Sequence, residues 1–177
     1  MALFKPAFYR VLFAVEGDAE FDIQSISKRL NVIPSTAKRY IRELLKKGYI
    51  REIRPGLYAL TDEGTALKNS LKNLLEKKVE ENLGYVLTDP STGNPVPVKI
   101  TNIYQLYAIV KYRLVPENIL LEHIRRDYLA KWIRDVLEDL DLADFLENNR
   151  DISINEFLDV LEERLKILNS IRSVLGM

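Results

Sequence analysis

The chain predicts a mainly α protein with a minor β component (α+β), split into two domains, and three observations predict it. Apolar residues recur at the 3.6-residue spacing of amphipathic helices through most of the 177 residues. Strand-like segments are few and short: one pair flanks Arg54-Pro55-Gly56, and another flanks Thr-Asp-Pro-Ser-Thr-Gly-Asn-Pro, so hairpins are expected rather than a large sheet. The formal net charge is zero, yet residues 1–83 hold 15 Lys/Arg against 11 Asp/Glu and residues 84–177 hold 11 against 15. Gly84 therefore marks the expected boundary, with domains at 1–83 and 84–177.

In chain order, Phe8, Val11, Leu12 and Val15 share one side of a helix from Pro6 to Glu16, which Gly17-Asp18 is expected to end. Phe21-Asp22-Ile23 suits a small third strand. In SISKRL, Ile26 and Leu30 lie one turn apart, so a short helix forms there until Asn31, Val32, Ile33 and Pro34 break it. Ser35 offers an oxygen to the free amides of the next helix, expected from about Ser35 to Lys47 and stopped by Gly48. Ala37, Tyr40, Ile41, Leu44 and Leu45 form its apolar stripe, and Ser35, Thr36, Lys38, Arg39 and Arg42 its other face. Tyr49 to Ile53 and Leu57 to Leu60 then alternate as a hairpin with a basic tip. The expected core is Leu12, Ile26, Leu30, Ile41, Leu44, Ile50, Tyr58 and Leu60.

A tight helix-turn-helix followed at once by a hairpin, with Leu60-Thr61-Asp62-Glu63-Gly64 matching the Leu-Thr-x-x-Gly that often closes such a hairpin, resembles the winged helix-turn-helix transcription regulators of archaea and bacteria over roughly the first 80 residues. That resemblance implies binding to double-stranded DNA. Ser35, Thr36, Lys38, Arg39 and Arg42 would contact bases or phosphates in the major groove, and Arg51 and Arg54 in the wing would reach the backbone or minor groove. Nine basic residues against two acidic ones between Lys28 and Arg54 suit phosphate neutralisation. Lys46 and Lys47 taken singly read better as a solvated helix end.

Thr61 is expected to cap a long connecting helix reaching about Leu83, roughly 30 Å at 1.5 Å per residue. Its stripe of Ala66, Leu67, Ser70, Leu71, Leu74 and Leu75 either pairs with a twin in a homodimer, as the resemblance implies, or packs on its own chain.

The second domain is expected to be mostly helical with a short hairpin, Tyr85-Val86-Leu87 against Val96 to Ile100. Its Gly-containing loop lacks the spacing and Lys of a phosphate-binding loop and reads as a plain connection. Asn102 caps a helix to about Leu114, a helical stretch broken once or twice follows Pro116, and the Ser153/Glu156 capping box opens a last helix to about Leu175. His123, Arg125, Arg126, Asp127, Tyr128, Trp132 and Ile133 resemble a small archaeal family of uncharacterised helical domains over roughly residues 85–147, which implies a domain type and no activity. The one histidine, His123, lies on an apolar face and reads as a hydrogen-bonded core residue that Asp127 could hold. Asp135, Glu138, Asp139, Asp141 and Asp144 lack a cation-loop spacing and suit a solvated or docking face. Arg125 and Arg126 pair with those acids or bind phosphate, and Trp132, Tyr107, Tyr112 and Tyr128 are expected as core aromatics rather than a ligand cage.

The absence of cysteine excludes disulfides, thiolate zinc sites and cysteine catalysis. No nucleophile, metal-ligand set or cofactor loop stands out, so no catalytic residue, cofactor or metal is expected and enzymatic function is disfavoured. Neither a signal peptide nor a membrane span is visible, which suits a cytoplasmic protein. The expected function is a DNA-binding transcriptional regulator whose C-terminal domain serves protein interaction or ligand sensing. The competing expectation is a non-enzymatic adaptor whose winged helix binds RNA, ribosome or protein.

Overall fold

The structure is a computed structural model that describes residues 6–16, 19–76 and 79–176. The described residues divide into two compact units: those from 6 to 72 together with 166–176, and those from 73 to 165. Among the described residues no helix is long and apolar enough to cross a membrane.

The first unit holds α1 (Pro6–Ala14), β1 (Phe21–Asp22), α2 (Ile23–Leu30), α3 (Pro34–Lys46), β2 (Ile50–Arg54), β3 (Leu57–Leu60) and most of α4 (Asp62–Glu76). The expected helix stop at Gly17-Asp18 lies outside the described residues. The strands form one antiparallel sheet in the order β1-β3-β2, so Phe21-Asp22 does add a third strand, with Phe21 opposite Tyr58. All eight expected core residues are buried. They come from α1, α2, α3, β2 and β3, which is how short amphipathic pieces gain stability that none has alone.

Local chemistry explains the helix ends. Asp22 begins α2 three residues before Ser25: its carboxylate accepts the Ser25 amide at 2.7 Å while the Ser25 hydroxyl accepts the Asp22 amide at 3.1 Å. These bonds hold the Asp22 carboxyl below its usual value. Asn31 turns left-handed (φ 51°) to end α2, and buried Ser27 ties down the turn, its hydroxyl donating to the Val32 carbonyl at 2.6 Å. The turn delivers the chain to Ile33 and Pro34. Ser35, expected as the cap of α3, is instead its second residue; Pro34 takes the first position, where its missing N–H and fixed φ fit, and extended Ile33 becomes the cap residue.

Gly64 explains the Leu-Thr-x-x-Gly pattern physically. A Cβ there would stand 1.9 Å from the Tyr49 carbonyl oxygen, so any other residue would push the start of α4 off the end of the hairpin. Thr61 locks the same junction: its hydroxyl donates to the Gly48 carbonyl at 2.6 Å and accepts the Gly64 amide at 3.1 Å, capping α4 as expected. That helix does not continue to Leu83. It ends at Glu76, residues 79–80 are irregular, and 81–83 form a separate 3₁₀ turn. The run beyond Glu76 is nearly all polar and offers no stripe to bury, so nothing offsets the cost of extending the helix. Leu71, Leu74 and Leu75 are buried within the single chain.

The second unit holds β4 (Tyr85–Thr88) and β5 (Pro95–Ile100), paired antiparallel, then α5 (Ile103–Lys111), α6 (Glu117–Arg125), α7 (Tyr128–Trp132), a π-helical segment (Ile133–Leu137), α8 (Leu140–Asn148) and the first half of α9 (Ile154–Leu175). The β4–β5 loop is a hairpin connection in which Asp89 accepts the Ser91 amide and hydroxyl at 2.8 and 2.6 Å. Asn102 caps α5 through the Gln105 amide, but the helix stops at Lys111 because Arg113 turns left-handed ahead of Pro116. Left-handed residues also make the later breaks, Asp127 (φ 59°) before α7 and Glu138 (φ 60°) after the π segment. The Ser153/Glu156 capping box forms, with the Glu156 carboxylate accepting the Ser153 amide at 2.9 Å.

Candidate nucleic-acid interface

Helix α3 has two unlike sides. Ala37, Tyr40, Ile41 and Leu44 are buried, whereas Ser35, Lys38, Arg39, Arg42 and Lys46 are exposed. At 100° per residue those five fall within an arc of about 100° opposite the buried stripe, making one continuous ridge. Thr36 is on the shoulder beside Glu43 and half-buried, so it stands apart from the ridge. Lys46 pairs with Glu43 at 3.0 Å, and the Arg39 guanidinium lies 5.5 Å from the Tyr40 ring centroid.

The hairpin carries the second cationic group, and a β-bulge arranges it. Arg51 opposes Ala59 and Arg54 opposes Leu57, the register shifting between Glu52 and Arg54. Directly opposed residues share a face, and Leu57 and Ala59 are two apart on β3; Arg51 and Arg54 therefore point to the same side. Without the extra residue they would face opposite ways. Glu52 shapes the tip, its carboxylate accepting the Gly56 amide at 2.7 Å, while Gly56 takes the left-handed conformation (φ 79°). Neither the bulge nor the carboxylate clasp follows from the alternation of residues alone.

Among the described residues Lys38, Arg39, Arg42, Arg51 and Arg54 have no carboxylate partner. The arginines of residues 73–165 show the reverse. There Arg113 pairs with Glu117, Arg125 with Asp151, Arg126 with Glu122, Arg150 with Asp127, and Arg134 with both Asp144 and Glu147. The sixth arginine, Arg164, is fully buried against fully buried Asp139 through two parallel hydrogen bonds, with Asp141 3.6 Å away.

These pairings correct several expectations for the second unit. The acidic run is not a solvated face throughout: Asp139 is fully buried and also caps α8 through the Leu142 amide at 3.2 Å, and burial pushes the Asp141 carboxyl up despite Arg164 nearby. Arg125 and Arg126 pair with acids outside that run. His123 is the expected core histidine, but Asp127 does not hold it; Nδ1 lies 2.6 Å from the Tyr85 hydroxyl, and Nε2 accepts the Thr88 amide at 3.0 Å. Burial raises the Tyr85 phenol above its ordinary value, keeping it protonated in this contact. Trp132 is buried and donates to the Leu83 carbonyl at 2.9 Å, whereas Tyr112 (66% exposed) and Tyr128 (53% exposed) are surface residues, not core. Both stand beside left-handed turns that lift the chain off the core. Among the described residues no three His, Asp or Glu side chains are grouped to hold a metal ion.

Residues 11–79 match the family model described as winged helix-turn-helix, a span that begins inside α1 and ends just past α4. The N-terminal unit therefore carries a winged helix-turn-helix domain. No curated protein and no solved structure gives a significant match to the chain.

Proposed function

We propose that the chain is a DNA-binding transcriptional regulator, with α3 entering the major groove and Arg51 and Arg54 of the wing reaching the backbone or minor groove. The observation that carries this reading is the set of five cations without acid partners on α3 and the hairpin, in a molecule that pairs every arginine between 113 and 164. A protein gains nothing in stability from leaving such charges gathered and unpaired, while a polyanion gains from each phosphate it meets. Arg39 and Arg42 are the base-reading candidates, because a guanidinium can bond guanine through two parallel hydrogen bonds. Ser35 and Lys38 on the ridge serve as nearby base or phosphate contacts.

A homodimer on a two-fold site is part of the proposal, and its pairing surface is one other than Leu71, Leu74 and Leu75, which the single chain already buries. For the 73–165 unit, protein interaction is favoured over ligand sensing by Tyr112 and Leu114, two large side chains left exposed in one short connection. The same exposure supports an adaptor as the second reading.

A mobility-shift titration of duplexes selected from a random pool tests the proposal. Wild type should enrich a preferred site and lose affinity steeply with salt, and the Arg39→Ala/Arg42→Ala variant should lose the preference. Selective binding that survives the double substitution would place the reading surface elsewhere; negligible duplex affinity at low salt would favour the adaptor.

A further inference from the structure

Ile33 breaks two local rules at once. It is 67% exposed, the most exposed large hydrophobic side chain among the described residues. It also occupies the cap position of α3 without a side-chain hydrogen bond, where Ser, Thr, Asp or Asn would satisfy a free amide. Its backbone alone performs the cap, the carbonyl accepting the Thr36 and Ala37 amides at 2.9 and 3.1 Å. Neighbouring Val32 is half-buried, so the turn has its inward apolar residue without Ile33. Local rules broken with no structural gain are expected where a surface serves binding.

We infer that Ile33 is a specificity-determining residue that packs on the C5-methyl of thymine. The inference rests on the DNA-binding reading above and deepens it. Ile33 stands at the N-terminal end of α3, the end that helix-turn-helix docking brings nearest the base edges. Thymine is the base that offers an apolar group in the major groove, and an aliphatic side chain is the matching partner. The free cations of α3 supply the attraction to the duplex, while an isoleucine at its tip adds discrimination that no cation provides. The ligand class is thus duplex DNA with a thymine beside the bases that Arg39 and Arg42 read.

Uracil substitution isolates this contact, since it removes only the methyl and leaves every hydrogen-bonding group of the base. Duplexes selected by the wild-type chain are remade with each thymine replaced singly by uracil and titrated against wild type and Ile33→Ser. Wild type should lose about 4-fold in affinity at one or two thymines, the effect of withdrawing one buried methyl. Ile33→Ser should be indifferent at those same positions and retain its response to salt. Serine supplies the missing cap oxygen, so the variant should melt no lower than wild type. Wild-type indifference to every uracil, or equal uracil sensitivity in both proteins, would overturn the assignment while leaving the DNA-binding reading intact. Absence of salt-dependent duplex binding by wild type would overturn both.

Discussion

The arginines of α3 and the hairpin and those of residues 73–165 are deployed in opposite ways. On α3 and the hairpin, Arg39, Arg42, Arg51 and Arg54 are exposed with no acid partner, and the fold sets them on defined faces by helix phase and by a bulge. Between residues 73 and 165 each arginine meets a carboxylate, and the most buried one joins α9 to the start of α8. A charge kept for a partner must therefore be told apart from one that the fold uses. Net charge cannot do it, because both sets are cationic and the chain as a whole is neutral. What distinguishes them is their surroundings: a buried arginine without its acid is intolerable, whereas an exposed one without a partner remains ready for phosphate.

Removing a cation that the fold depends on should have the largest effect. Arg164→Leu leaves Asp139 buried without its counter-charge and should cost about 3–5 kcal/mol in urea unfolding; a loss under about 1 kcal/mol would mean that solvent or neighbouring groups relieve the carboxylate. Next in size, Arg39→Ala and Arg42→Ala should each remove about 1–3 kcal/mol of discrimination against the wrong base. Unfolding midpoints of both variants should stay with wild type, because exposed residues without acid partners seldom affect stability. Destabilisation there would move these arginines into the structural class. Arg51→Ala and Arg54→Ala should weaken binding to all duplexes alike and lower the slope of log affinity against log salt by about one for each phosphate no longer neutralised. Arg126→Ala, whose cation already has Glu122 at 2.7 Å, should leave that slope unchanged.

The smallest effects separate two kinds of acid by pH. Burial raises the Asp141 carboxyl in the folded chain, so its protonated form favours folding and its ionisation opposes it. Asp141→Asn should therefore gain stability relative to wild type as pH climbs from about 4 through that raised value. Glu156 has the opposite sign: hydrogen bonds from Ser153 lower its carboxyl, and its contribution is present above the ordinary glutamate value and lost as pH falls through the lowered one. Glu156→Gln should lag behind wild type at neutral pH and converge with it in acid. Thermal melts across pH 3–7 would read both; parallel curves for Asp141→Asn and wild type would show that Arg164 cancels the burial.

Much of the fold was legible where it depends on residues close in sequence. The apolar periodicity picked out eight core positions that are all buried, the Ser153/Glu156 capping box forms, and Leu60 to Gly64 makes the junction its pattern suggested. Helix ends were less legible. Thr61 and Asn102 cap as expected, but Ser35 yields to Pro34, and α4 stops early because helix-forming composition does not supply a surface to bury against. Of the candidate interface, the cations of α3 followed from helix phase, whereas the common face of Arg51 and Arg54 needed the bulge. Exposed Ile33 was visible only as part of a helix break.

Periodicity, caps and turn residues act over a few positions, so the helix-turn-helix, the hairpin after it and the crowding of cations between Lys28 and Arg54 are written in the order of residues. Tertiary packing set the long-range charge pairs. Asp139 and Arg164 are 25 residues apart along the chain, and Asp127, in the left-handed break after α6, finds Arg150 rather than His123. Such choices arise from packing, which brings distant side chains within reach and removes the water that would otherwise solvate them.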